Sequence, residues 1–102
     1  MSRPTFGPGG NGEWFKSEGG KATVQAPGWL ASKGLDAYEY EAGKGVNAGE
    51  GVLRAIGEKA REHGLLMSLH APFFISLSSV EEEKRNNSIA YIQKSLWAAD
   101  LL

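Results

Sequence analysis

The sequence predicts an α/β fold in which parallel strands carry helices on their outer side. Three observations predict it. Strand-like and helix-like patterns alternate along the chain in the order strand, helix, strand, helix, strand, helix. Two of the helical segments are preceded by the Asn/Ser-x-x-Glu spacing of a capping box. Glycines stand just past the first two helical segments, where the chain has to turn back. With 102 residues, there is enough chain for one modest domain around a single core.

Taken in order, Thr5-Phe6 starts a short strand that "GPGGNG" ends. "EWFKSEGGKATVQ" reads as a polar connection holding two aromatics. A short helix covers 26–33, with Pro27 in its first turn and Gly34 as its stop. Tyr38 and Tyr40 in "LDAYEYEAG" suit a strand, and Gly-Lys-Gly after it is a loop. Asn47 and Glu50 make the first capping box. Leu53, Ile56 and Ala60 then recur at helical spacing until Gly64. The first half of "LLMSLHAPFFISL" is an unbroken apolar run, the pattern of a strand covered on both faces. Ser79 and Glu82 make the second capping box, and Glu81, Glu82 and Glu83 lie where the helix dipole favours anions. Ile89, Ile92, Leu96 and Ala99 give this helix its apolar stripe, and it stops on two exposed leucines.

Right-handed crossovers bring the C-terminal ends of such strands to one side. "GPGGNG", "EAGKGV" and "HAPFF" gather there, at the mouth where α/β sheets hold their ligands. Composition narrows the classes further. A net charge of -1 creates no field that demands nucleic acid or an anionic membrane. With no cysteine there is no disulfide framework, no thiolate metal site and no cysteine nucleophile. The start lacks the apolar run of a secretion signal, and no stretch approaches a membrane span, so a soluble cytoplasmic protein is expected. Asn86-Asn87-Ser88 matches the glycosylation sequon, which carries no weight without such a signal. The fourteen glycines fall mostly before Gly64 and are read as turns and close backbone approaches.

Several residues invite chemistry. "GPGGNG" satisfies G-x-G-x-x-G, but that fingerprint needs a helix opening straight after it, and "EWFKSEGG" is not expected to open one. His70 is either a hydrogen-bonded histidine in a pocket wall or a metal ligand or general base. His63 lies at the end of a helix on the far side, and Glu39 and Glu41 are the acids nearest the mouth. Lys44, between glycines, is either a solvated turn lysine or a contact for a phosphate. Phe73 and Phe74 are adjacent, so in an extended segment one turns to the core and the other is free to stack at the mouth. Trp14 and Phe15 pack under their loop. "EEEKRNN" is a helix start with a solvated face.

"FGPGGN", "GLDAYEYEAGKGVN" and "HAPFFISLSSVEEEKRNNSI" together resemble the N-terminal part of the endonuclease IV family, the zinc-dependent apurinic/apyrimidinic endonucleases. The resemblance runs from about Phe6 to Leu102 and is most specific in "HAPFFISLSS". It implies a (β/α)8 TIM barrel of which residues 1–102 hold the first three βα units, the N-terminal fragment of a single domain. It further implies DNA repair by cleavage 5′ to abasic sites, with zinc as cofactor and abasic double-stranded DNA as partner. By the same resemblance His70 is a zinc ligand, Phe73 belongs to the loop that penetrates DNA, and Lys44 touches the DNA backbone. Two departures stand out. "GPGGN" lacks a histidine found after the first strand in the better-known branch, and the other zinc ligands would lie beyond Leu102. The chain alone is therefore expected to be inactive, to bind zinc poorly and to self-associate through open sheet edges. The alternatives are a xylose-isomerase-like sugar isomerase or epimerase, and a non-catalytic fragment that only associates.

Overall fold

A computed structural model describes residues 3–102. Its helices are α1 (Glu13–Ser17), α2 (Ala26–Ser32), α3 (Glu50–Glu62) and α4 (Glu82–Leu101), with a 3-10 turn at Thr23–Gln25. Its strands are β1 (Ala37–Glu41) and β2 (Leu66–His70), which pair in parallel from Ala37 opposite Leu66 to Glu41 opposite His70. α3 makes the crossover between them.

The architecture corrects the barrel expectation. The described residues form one open two-stranded sheet with four helices, not three βα units of a (β/α)8 barrel. The expected first strand at Thr5-Phe6 is where the count falls short, and the reason is local. Residues 6–10 do run beside β1: Phe6 O accepts from Ala37 N, Pro8 O from Glu39 N, and Gly10 N donates to Glu39 O. The next rung of a parallel ladder would need an N–H at residue 8, and proline has none. Only the single Gly9–Glu39 bridge forms. The approach is close enough that a Cβ on Gly7 would lie 1.6 Å from Ala37 O, which leaves glycine as the residue that fits.

One face of the sheet is packed. Tyr38, Tyr40, Met67 and Leu69 alternate onto it and meet two clusters. The first is Phe15, Ala26, Leu30, Ala60 and Leu65 with Tyr38; the second is Leu53, Ile56, Ala98, Leu101 and Leu102. Tyr40 and Met67 touch both and join them into one core. The opposite face carries Ala37, Glu39 and Glu41 beside Leu66, Ser68 and His70, and belongs to neither cluster. β2 is thus not covered on both faces: Leu66 is 61% exposed.

The helices differ in detail from their sequence patterns. α2 opens with Pro27 and ends before Gly34, whose φ is +77°. α3 starts at Glu50 with Gly49, two residues after Asn47, as its N-cap and with no side-chain cap, so the first capping box does not close. The second does not close either: Glu81 is the N-cap of α4, and Ser79 Oγ accepts only from Glu81 N at 3.2 Å. α1 is an unexpected helix, held because Phe15 sinks into the core. The larger surprise is α4. It buries Ser88, Ser95, Ala98 and Leu101, while Ile89 and Leu96 of the expected stripe lie outside. Small residues allow α4 to lie close against α3, where a Cβ on Gly57 would come within 2.4 Å of Leu101 O. The two terminal leucines, expected to be exposed, close that contact and are 7% and 8% exposed.

Candidate functional site

The uncovered sheet face is a short polar ladder. Because side chains alternate along a strand, Glu39 and Glu41 point the same way, as do Ser68 and His70. Parallel register then sets Glu39 opposite Ser68 and Glu41 opposite His70. Ser68 Oγ donates to Glu39 Oε2 at 2.9 Å. His70 Nδ1 lies 3.4 Å from Glu41 Oε1, with both side chains about half exposed, at 48% and 52%.

The ladder leads to a mouth at the C-terminal ends of the strands. Ala42 N donates to His70 O at 3.1 Å, the last contact of the sheet. The chain after β1 then turns tightly, with Gly45 N on Ala42 O and Gly45 at φ +110°. After β2, Pro72 is buried and Phe73 N donates to Gly43 O at 3.0 Å, so the second loop folds across the first. Between them lies an open cleft of about 400 Å³ lined by Glu41, Gly43, Lys44, Asn47, His70 and Phe73.

Each predicted site residue can now be placed. His70 ends β2 at the rim, and Glu41 turns back to accept from Gly43 N at 2.8 Å. Lys44 is exposed on the turn and enters no ion pair among the described residues. Phe73 is 74% exposed over the cleft, whereas Phe74 packs edge-on against Tyr91 at 4.8 Å. Lys44, His70 and Phe73 therefore share one cleft. Glu41 and Asn47 complete its lining, while Glu39 and Ser68 lie further back on the open face, beside residues 5–9. Sequence reasoning passed over Ser68 and Asn47, although the parity of Ser68 with His70 was a usable cue.

The metal expectation is overturned. Among the described residues no group of three or more His, Cys, Asp or Glu is placed to hold a metal ion. His70 has one acidic neighbour, Glu41, and a zinc site needs at least three protein ligands. Zinc as cofactor and His70 as its ligand are both withdrawn. With them go the abasic-site endonuclease and the sugar isomerase, since each rested on a barrel and on a set of metal ligands at strand ends, and the described residues form neither.

"GPGGNG" has another use. Gly10 continues the contact with β1, and Asn11 accepts from Tyr38 Oη at 2.8 Å and donates to Thr23 Oγ1 at 3.0 Å. Burial pushes the Tyr38 phenol up to about 12. A helix does open after the glycines, contrary to expectation, but it lasts five residues. Among the described residues no helix is long and apolar enough to cross a membrane. Compared with known proteins, the chain matches no family model, no curated protein and no solved structure. The likeness to the endonuclease IV family is not upheld: no family model matches, and the described residues form an open two-stranded sheet, not part of a barrel.

Proposed function

We propose that the mouth is a binding site for a nucleoside phosphate, either free or as one unit of a nucleic acid. One observation carries this reading: Lys44 and the exposed ring of Phe73 line the same cleft. An ammonium on a glycine-flanked turn suits a phosphate, and an exposed aromatic face suits a base. Asn47 adds an amide at the same wall. The Glu41 carboxylate opposes the anion, so the phosphate lies toward Lys44 and the base toward Phe73.

Calorimetric titration with adenosine monophosphate, inorganic phosphate and adenosine tests it. The nucleotide should bind more tightly than either part. Phe73→Ala should cost about 1–3 kcal/mol of binding. Lys44→Ala should weaken the nucleotide and leave adenosine unchanged. Glu41→Gln removes a like charge and should tighten the nucleotide. A duplex with one abasic site, titrated beside the free nucleotide, separates the two sources. Equal binding by wild type and by Lys44→Ala and Phe73→Ala would end the proposal.

A second reading concerns assembly and rests on the free edge of β2. In the parallel ladder Leu66 N donates to Asp36 O and His70 O accepts from Ala42 N, so residues 66, 68 and 70 turn their backbone toward β1. The N–H and C=O of Met67 and Leu69 point the other way, and no turn or loop backbone of the described residues hydrogen-bonds to them. An edge of this kind accepts a strand from a second copy of the chain. Met67→Pro removes an outward N–H and spares the ladder to β1, and a cooperative melt must show that it still folds, since the Met67 side chain also joins the two clusters. Sedimentation should show concentration-dependent dimers for wild type and monomers for Met67→Pro; monomers for both would exclude this reading.

A further inference from the structure

A second cavity lies away from the mouth, between α1, α2 and β1. It has a volume of about 120 Å³ and is walled by Trp14, Phe15, Ala26, Trp29, Leu30 and Tyr38. We infer that it is a binding site for a small apolar molecule of one aromatic ring.

The polarity of the wall decides the ligand class. A trapped water needs two or more polar partners. Here the polar groups are already committed. Tyr38 Oη donates to Asn11 and Asn11 Nδ2 donates to Thr23 Oγ1. The indole N–H groups of Trp14 and Trp29 both donate to Glu18, on the side where Lys33 Nζ also meets Glu18, at 2.7 Å. Among the described residues no buried side-chain nitrogen or oxygen lacks a partner. What faces the space is carbon, so a polar ligand gains nothing there and water is held weakly.

Size and shape narrow the class. Apolar cavities of about 150 Å³ stay dry and take benzene or xenon. The space here is slightly smaller and opens to solvent beside the exposed Trp14, so its inner part matches a single ring in size. Its aromatic walls are set edge to face: Trp14 on Trp29 at 4.9 Å and 79°, Phe15 on Trp29 at 5.4 Å and 71°. An entering ring extends the same edge-to-face arrangement, the preferred geometry for aromatic pairs. Lys33, over both indole rings at 5.0 and 5.6 Å, holds the outer side of this wall in place. The site shares no lining residue with the mouth.

Thermal melts of the full chain with benzene as probe test the inference, with 129Xe NMR as an independent reading. Benzene should raise the melting temperature saturably and shift the fluorescence of Trp14 and Trp29, and xenon should show a bound-state shift. Inorganic phosphate should do neither. Ala26→Leu fills the cavity from its buried wall and should abolish both responses. If wild type shows no benzene stabilisation and no xenon shift, the inference is wrong, whether or not Ala26→Leu folds. Retention of both responses in folded Ala26→Leu would equally overturn it.

Discussion

The two faces of the sheet are built from the same strands, yet they have opposite chemistry. On the packed face Tyr38, Tyr40, Met67 and Leu69 meet helices from both clusters. On the open face Glu39, Glu41, Ser68 and His70 pair across the ladder and stay in reach of solvent. Parallel strands are ordinarily covered on both sides. An open face that is polar, beside a packed face that is apolar, indicates that the stability gained by burial resides on one side of the sheet.

If stability resides on the packed face, substitutions on the two faces should differ most. Leu53 and Ile56 are fully buried, whereas Leu66 is 61% exposed. Leu53→Ala should cost about 2–5 kcal/mol. Leu66→Ala on the open face should stay within about 0.5 kcal/mol. Urea unfolding of the two variants checks this, and similar losses would refute the division.

A smaller effect sharpens the account of residues 6–10. Gly7→Ala forces a methyl onto Ala37 O and should cost more than about 1 kcal/mol. A Cβ on Gly9 meets nothing within 4 Å, so Gly9→Ala should stay within about 0.5 kcal/mol. Equal melts for the two would mean that the segment does not lie on β1.

Tyr38 links the packed face to pH. Its phenol is raised to about 12 by burial, above the ordinary tyrosine value near 10. The folded state thus holds the proton more tightly than the unfolded state. The resulting stability is complete below about pH 10 and is lost as pH rises toward about 12. Melts between these values should fall for wild type and flatten for Tyr38→Phe.

The smallest expected effect lies at the edge. Asp36 accepts from Phe6 N at 2.7 Å and meets Arg3 at 2.6 Å. The backbone hydrogen bond, and then Arg3, hold its carboxyl below the usual aspartate value. A lowered folded-state value stabilises above the unfolded one, and that gain disappears as pH falls through the folded value. Acid melts should show a shallower decline for Asp36→Asn than for wild type.

Legibility followed the range of the interactions. The helix after Ala26 was readable because Pro27 and Gly34 act within a turn. β1 and β2 were readable from their own side chains. Lys44, His70 and Phe73 were readable as mouth residues because His70 ends β2 and the other two follow strand ends. The capping boxes misled, since Asn47 stands two residues before the observed N-cap and Ser79 two before Glu81. The stripe Ile89-Ile92-Leu96-Ala99 misled for another reason. Periodicity marks the apolar side of an isolated helix, but α4 turns Ser88 inward, where it accepts from Ser76 N in the preceding loop, and its last turn lies against Gly57.

Local chemistry set the stop of α2 at Gly34, the alternation of side chains along β1 and β2, and the missing donor at Pro8. These depend on φ limits, missing donors and side-chain parity, which neighbours in the chain impose. Tertiary structure alone decided which face of the sheet would be covered, which side of α4 would be buried, and that Glu41 would meet His70 and not a set of metal ligands. Those outcomes depend on register and on contacts between residues distant in sequence. Such contacts are set by close packing and chain connectivity, not by the pattern of any one segment.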